Sequence, residues 1–105
     1  MEKPNLTYIE QLAGDNSEFK AKMIAILKKE LPEEIAVYKS QMQNNNWQEA
    51  AQSVHKLKHK VSILGLEKSY YLAETFEENL KNKVSTFQNE FEIVLEAMSN
   101  FVQTL

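Results

Sequence analysis

The sequence predicts an all-α protein folded as an antiparallel up-and-down four-helix bundle with a short N-terminal helix. Three observations support this prediction. The 105 residues include only 2 glycines and 2 prolines. Apolar residues recur at helical spacing along most of the chain, and no segment alternates as a half-buried strand would. The connections between helical segments are short, which makes consecutive helices antiparallel neighbours. Uniform composition without a linker predicts a single domain over residues 1–105.

Polar caps mark the first two helices. Asn5 or Thr7 caps a short helix that Gly14 ends. Residues 15–17 then provide N-caps for a long second helix, which runs to three consecutive asparagines. Pro32 lies within that helix and removes one backbone hydrogen bond, so the helix either kinks there or consists of two pieces. The apolar stripe of the second helix is formed by Phe19, Met23, Ile26, Leu27, Ile35, Tyr38 and Met42.

The other three helices follow from the same periodicity. Trp47 opens the third helix, and Gly65 ends or bends it. The inward face of this helix is formed by Ala50, Val54, Leu57, Val61 and Leu64. A fourth helix covers residues 67–82. Ser85 or Thr86 caps the last helix, whose stripe is formed by Phe87, Phe91, Val94, Leu95, Met98, Phe101 and Val102.

Composition and charge exclude several classes of function. The chain has no cysteine, which excludes disulfides, thiolate zinc sites and cysteine nucleophiles. A net charge of −3 argues against binding to nucleic acid. No apolar run reaches the length of a membrane span, and the polar N-terminus lacks the apolar core of a signal peptide. These observations predict a cytoplasmic protein with no nucleic-acid or membrane partner, and a bundle of this size is expected to be a monomer.

The segment 55–60 places two histidines and three lysines together in an otherwise acidic chain. At about 100° per residue, His55 lies on the shoulder of the third helix, half sheltered by the next helix. Lys58 lies nearer the core, so its stem can follow apolar surface while its ammonium reaches outward. Lys56 and Lys60 point to the solvated side. An exposed imidazole is a good nucleophile, and an ammonium one turn away suits a phosphoryl oxygen, which favours a histidine that carries a phosphoryl group.

This arrangement resembles the signature of histidine-containing phosphotransfer (Hpt) domains, which act in phosphorelays. The signature is a histidine followed by an apolar residue and a lysine, with a glycine ten positions after the histidine. His55, Leu57, Lys58 and Gly65 match it. The resemblance extends over nearly the whole chain. Its weaker points are Leu12–Asp15 with Phe19, Leu31–Pro32 with Ile35, and Asn46–Trp47.

The resemblance implies roles for three residues. His55 is the expected phosphoacceptor and attacks through its outer ring nitrogen. Lys58 is expected near the phosphoryl group. Glu77, on the fourth helix, is expected to face the imidazole and hold the proton of the other ring nitrogen.

The resemblance also implies a phosphoryl carrier in two-component signal transduction rather than an enzyme with kinase machinery. The phosphoryl group comes from the aspartate of a response-regulator receiver domain and passes to another receiver. A hybrid sensor histidine kinase is a further expected partner. Magnesium belongs to the receiver, so no cofactor is expected on this chain.

The expected docking surface consists of His59, Ser62, Ile63 and Gly65. Ser62 shares the shoulder with His55, Ile63 points outward as an apolar contact, and Gly65 permits close packing at the helix end. His59 departs from the family pattern, which has a small residue there. Its imidazole could crowd the docking surface, contact the phosphoryl group or act as an alternative acceptor.

Two other functions stay open on the residues alone. The chain could be an interaction bundle in which His55 is never phosphorylated, and the departure at His59 favours that alternative. It could also bind a metal, since His55 and His59 are four residues apart and Glu77 could supply a third ligand. The nearby lysines disfavour a dication, so no metal site is predicted.

Overall fold

Polar caps and tight turns divide the chain into five helices. The computed structural model describes residues 2–105, and over that range it contains no strand. In chain order the helices are α1 (Thr7–Ala13), α2 (Ser17–Gln43), α3 (Trp47–Ile63), α4 (Glu67–Lys81) and α5 (Gln88–Gln103). The predicted all-α class is therefore confirmed. None of the helices in the described range combines the length and apolar character needed to span a lipid bilayer.

Asparagine side chains start the first two helices. Oδ1 of Asn5 accepts a hydrogen bond from the backbone N–H of Thr7 at 3.1 Å, and Oδ1 of Asn16 accepts one from Phe19 at 3.0 Å. Each bond satisfies a donor that the first turn of a helix leaves without a partner. Gly14, with a φ of 55°, separates the two helices.

Helix α2 continues through Pro32 without a break. Proline has no N–H, so one hydrogen bond inside the helix is missing. The neighbouring side chains of Leu31 and Ile35 are buried and hold this segment against the bundle. The alternative of two separate pieces is therefore wrong.

The N-terminal part of α2 extends beyond its neighbours. Helix α2 has 27 residues, whereas α3, α4 and α5 have 17, 15 and 16. Phe19 and Ile26 belong to this part and are 41% and 51% exposed. Helical spacing placed them on the inward stripe, but the other long helices are too short to cover the whole of α2.

Helix α5 begins later than the sequence predicts. Its N-cap is Phe87, in the left-handed conformation with a φ of 78°, and not Ser85 or Thr86. The side-chain amide of Asn79 donates to the carbonyl of Thr86 at 3.1 Å, and the N–H of Gln88 donates to the carbonyl of Ser85 at 3.0 Å. These bonds hold a tight turn, and the helix follows it.

The four long helices form a closed ring of contacts, and α1 packs on α2. Helix α3 contacts α2 and α4, and α5 completes the ring by contacting α4 and α2. Tyr38, Phe76 and Phe91 meet in the centre, with ring centroids 5.3 to 6.3 Å apart. Burial, and then the charge and hydrogen bond of Glu92, raise the pKa of Tyr38. The Tyr38 hydroxyl therefore stays protonated and donates to Oε2 of Glu92 at 3.0 Å.

Lys60 joins α3 to α2 and does not point into solvent as predicted. Its side chain is 13% exposed, and Nζ lies 3.0 Å from Glu30 and 3.2 Å from Glu34. Burial lowers the pKa of Lys60, but the hydrogen bonds and charges of the two glutamates outweigh burial and raise it overall. This lysine therefore serves the packing of α3 and is not available to a partner.

The segment before α1 closes the turn between α3 and α4. The carboxylate of Glu2 accepts hydrogen bonds from the backbone N–H groups of Lys68 at 2.8 Å and Ser69 at 3.0 Å, in the first turn of α4. The N–H of Asn5 donates to the carbonyl of Leu64 at 2.9 Å. Residues near the N-terminus thus satisfy backbone groups at the turn that joins α3 to α4.

Candidate functional site

The imidazole of His55 lies at the edge of the interface between α3 and α4. Its neighbours Val54 and Leu57 are fully buried, and they fix the rotation of α3 about its axis. Position 55 therefore falls on the shoulder of the helix. The side chain of His55 is 54% exposed. One side of the ring is open to a partner, and the other contacts α4.

Helix α4 presents Glu77 to the inner nitrogen of this ring. Oε2 and Oε1 of Glu77 lie 3.1 and 3.3 Å from Nδ1 of His55. A carboxylate only accepts hydrogen bonds when it is ionised, so the neutral imidazole carries its proton on Nδ1. This assignment of the tautomer follows from the hydrogen-bond partner. It leaves the lone pair of Nε2 free for a reaction.

Lys58 packs inward, contrary to the prediction that its ammonium reaches outward. Its side chain is 10% exposed, Nζ lies 3.1 Å from Oε1 of Glu77, and the Tyr70 ring centre is 5.5 Å from Nζ. A buried carboxylate is strongly destabilising unless a cation neutralises it. Lys58 is the residue of α3 that neutralises Glu77.

Glu77 is ionised at neutral pH despite its burial. Burial raises its pKa, but the hydrogen bonds and charges of Lys58 and His55 outweigh burial and hold the pKa below the ordinary value of 4.5. The carboxylate can therefore hold the Nδ1 proton of His55 throughout the physiological range.

Lys81 is a third cation at this carboxylate, and the signature on α3 does not reveal it. Its Nζ lies 3.6 Å from Oε2 of Glu77, and its side chain is 48% exposed. Lys81 follows Glu77 by four residues, so both side chains lie on one face of α4. Once Glu77 is a candidate, that spacing is the sequence signal that points to Lys81.

A cleft of about 420 Å³ opens between α3 and α4 beside the His55 ring. It is lined by Gln48, Ala51, Gln52, His55, Lys56, Glu77 and Lys81. The first three of these residues lie one to two turns before His55 on α3. The cleft therefore joins the candidate acceptor to the exposed lysine of α4.

His59 lies one turn after His55, toward the C-terminal end of α3. The two ring centroids are 5.2 Å apart and the ring planes meet at 78°, an edge-to-face arrangement. His55 keeps about half of its side chain exposed beside this neighbour. His59 therefore flanks the candidate acceptor without enclosing it.

The predicted docking residues beyond His59 fall into two environments. Ser62 is exposed on a groove of about 260 Å³ whose other residues are Gly65, Glu67, Tyr70 and Tyr71. Ile63 is half-buried and packs against the core. The prediction that Ile63 points outward is therefore wrong. An apolar side chain gains free energy by removing its surface from water, and the core lies within its reach.

Gly65 is required by the backbone at the end of α3. Its φ is 77°, a conformation that other residues rarely adopt. A Cβ atom at this position would lie 2.7 Å from the side chain of Asn5. The N–H of Leu66 donates to the carbonyl of Val61 at 3.1 Å and closes the helix end. The close packing expected of this glycine is thus packing against the N-terminal segment.

The alternative of a metal site lacks a complete set of ligands. In the part of the chain that the structure describes, no three histidine, aspartate or glutamate side chains are grouped to hold a metal ion. Glu77, the expected third ligand, is instead bonded to His55 and paired with two lysines.

Comparison with protein-family models identifies the family of the chain. The model of the Hpt domain matches residues 22–104, a range that includes His55, Lys58 and Glu77. Searches of curated proteins and of solved structures returned no match. Hpt domains are phosphocarrier modules rather than classical enzymes, and they interact with receiver domains and histidine kinases. The chain belongs to the Hpt domain family and has a histidine phosphotransfer role in phosphorelay signalling.

Proposed function

We propose that His55 accepts a phosphoryl group on Nε2 from the phospho-aspartate of one receiver domain and passes it to the aspartate of another. The observation that carries the proposal is the bond between Nδ1 of His55 and Glu77, on a ring that stays 54% exposed. This bond orients the ring and places the reactive lone pair on the side that a partner can reach.

The transfer needs no other group on this chain to move a proton. The Nε2 lone pair attacks the phosphorus atom, the bond from phosphorus to the aspartate oxygen breaks, and the aspartate leaves as a carboxylate. The proton stays on Nδ1, so the phosphorylated ring carries a positive charge. Glu77 lies 3.1 Å from that nitrogen and neutralises the charge as it forms.

The reverse step uses the same contact. When a second receiver attacks, the bond from Nε2 to phosphorus breaks and a neutral imidazole leaves, with its Nδ1 proton still held by Glu77. Lys58 keeps Glu77 ionised in both directions because its ammonium contacts the other carboxylate oxygen at 3.1 Å. Lys58 is therefore a positioning residue in this proposal, since it acts on His55 through Glu77.

The partners proposed for this chain are receiver domains, with a hybrid sensor histidine kinase as a source of the phosphoryl group. Magnesium and the catalytic carboxylates belong to the receiver, and the bundle supplies a positioned nucleophile. His59 and Ser62 are exposed on α3, Gly65 is exposed just after its end, and we assign all three to the docking surface. The protein acts as a monomer, in the cytoplasm, where kinases draw on ATP.

A panel of phosphorylated receiver domains tests the proposal. Wild-type protein is incubated with each receiver and examined for an acid-labile, alkali-stable label, which mass spectrometry then assigns to a residue. We expect the label on His55. Glutamine has a similar shape but no ring nitrogen, so His55→Gln should abolish labelling, whereas His59→Gln should keep it.

Two outcomes would contradict the proposal. A label on His59 in the His55→Gln variant would move the acceptor by one turn. Receivers that bind the wild-type bundle without labelling it would favour an interaction module that carries no phosphoryl group.

A further inference from the structure

We infer that Lys81 on α4, and not Lys58 of the signature, supplies the ammonium that contacts the phosphoryl group on His55. This inference rests on the proposed function, and it names a residue that the Hpt signature on α3 does not contain. The evidence is the different environment of the two lysines around one carboxylate.

The side chain of Lys58 is buried and paired with Glu77. Its side chain is 10% exposed, its Nζ lies 3.1 Å from Oε1 of Glu77, and it also faces the Tyr70 ring. If Lys58 moved to the outer nitrogen of His55, Glu77 would lose its closest lysine. Leaving a buried carboxylate short of its partner is strongly unfavourable.

Lys81, in contrast, is half exposed and loosely paired with Glu77. Its side chain is 48% exposed, and its contact with Glu77 is the longest of the three at 3.6 Å. That contact is to Oε2, the same oxygen that bonds to Nδ1 of His55. Lys81 can leave this oxygen without exposing an unpaired charge, because Lys58 and His55 still hold the carboxylate.

The cleft gives Lys81 its path to the phosphoryl group. His55 and Lys81 line the same cleft of about 420 Å³ between α3 and α4. A phosphoryl group on the exposed nitrogen of His55 brings a strong negative charge to the edge of this cleft. An ammonium on a flexible stem can turn from the carboxylate to the phosphoryl oxygens, which carry the greater charge.

Lys56 lines the same cleft and is the competing candidate. Over residues 2–105, Glu77 is hydrogen-bonded to His55 and paired with Lys58 and Lys81, so Lys56 is not held at this carboxylate. A long side chain loses rotamer entropy when it is ordered. Lys81 is already ordered near His55, and it therefore loses less on contacting the phosphoryl group.

Phosphoramidate tests this inference without a receiver, because it phosphorylates histidine chemically. The full chain is phosphorylated, and the ³¹P resonance of phospho-His55 is titrated against pH. A nearby ammonium favours the dianion and lowers the pKa of the phosphoryl group. We expect Lys81→Met to raise that pKa by about half a pH unit or more, and Lys81→Arg to restore the wild-type value.

Matched variants separate a contact from a general change of charge. Lys68→Met removes one charge from the start of the same helix, and Lys56→Met removes one from the cleft. Lys68→Met should leave the phosphoryl titration unchanged, and Lys56→Met should shift it by much less than Lys81→Met does. Transfer from a phosphorylated receiver should also slow in Lys81→Met, by about twofold to fivefold, the range expected for the loss of one exposed ion pair.

The outcomes distinguish this inference from the proposed function. An unchanged titration in Lys81→Met, or the same change in Lys56→Met alone, would overturn the role of Lys81. Failure of every receiver to label a wild-type protein that phosphoramidate labels on His55 would overturn the receiver partnership and leave Lys81 in place. If phosphoramidate does not label His55, both ideas are wrong.

Discussion

His55 and Glu77 are joined by a contact of 3.1 Å between Nδ1 and Oε2, across the interface of α3 and α4. The same carboxylate pairs with Lys58, which follows His55 by three residues, or about one turn, and is almost fully buried. The acceptor, its orienting carboxylate and the buried cation therefore form one unit.

Replacing Glu77 by glutamine keeps the shape of the side chain and removes its charge. We expect phosphoryl transfer to slow by about 10-fold to 100-fold, because a hydrogen bond to a charged group contributes about 1.5–3 kcal/mol. The variant should also lose about 3 kcal/mol of unfolding free energy, because Lys58 stays buried without a counter-charge. Quenched time courses of phosphoryl transfer measure the change in rate, and urea unfolding measures the change in unfolding free energy. Glu74→Gln, at an exposed position on the same helix, is the control, and an unchanged transfer rate in Glu77→Gln would contradict the role of the carboxylate.

Replacing Lys58 by methionine should destabilise the fold, since Glu77 then keeps only its weaker partners. The double variant Lys58→Met/Glu77→Leu removes both buried charges, and we expect it to be more stable than the sum of the single changes implies. The measurement is the coupling free energy from urea unfolding of the four proteins. Tyr38→Phe, which loses a hydrogen bond to Glu92 and removes no partner of Glu77 or Lys58, should combine additively with either single change. Additivity of Lys58→Met and Glu77→Leu would show that the buried pair has no mutual stabilisation.

Acid should weaken the fold partly through Glu77. The pKa of Glu77 is lower in the folded protein than its ordinary value of 4.5, so at acidic pH the unfolded chain binds more protons than the folded one. The contribution of Glu77 is therefore complete above the unfolded pKa and is lost as pH falls through the folded pKa. We expect unfolding free energy to decrease below about pH 5, and to decrease less steeply in Glu77→Gln. Equal slopes in the two proteins would show that other carboxylates account for the whole effect.

Replacing Gly65 by alanine should destabilise the protein by about 2 kcal/mol or more. A left-handed conformation costs an L-residue about 1–2 kcal/mol, and the new Cβ would force the Asn5 side chain away from the N–H of Thr7. Thermal or urea unfolding of Gly65→Ala, Asn5→Ala and the double variant gives the measurement. In the Asn5→Ala background the added loss should shrink to the backbone strain alone. A loss of the same size in both backgrounds would show that the contact with Asn5 does not contribute.

Most of the fold follows from local signals in the sequence. Trp47 opens α3 as predicted. Asn16 caps α2 and Gly65 ends the third helical segment, because each meets a requirement of the local backbone. The start of α5 could not be predicted from local signals. Ser85 and Thr86 are good capping residues, but a bond from Asn79 on α4 to the carbonyl of Thr86 shifts the helix start to Phe87. Tertiary contacts of this kind leave no local pattern.

The contact between Glu77 and His55 was expected from the family resemblance, but the inward turn of Lys58 and the contact of Lys81 with Glu77 were not. Periodicity gives the angular position of Lys58 on α3, and that angle places it between core and solvent. Whether its ammonium turns inward depends on a carboxylate from α4, which the α3 sequence does not contain. Lys60 turned inward for the same reason, toward Glu30 and Glu34 of α2. The direction in which a charged side chain turns at a helix interface depends on the opposite charge nearby. For Lys58 and Lys60 that charge lies on another helix.

The contacts of Glu2 with the first turn of α4 have a consequence for the order of folding. The α3–α4 hairpin can form early, because its contacts join residues that are close in sequence. Glu2 and Lys68 are 66 residues apart, so loop-closure entropy delays their contact until the rest of the bundle has collapsed. We therefore expect the hairpin that holds His55 and Glu77 to assemble first, and the N-terminal segment to bind at its turn in a late step.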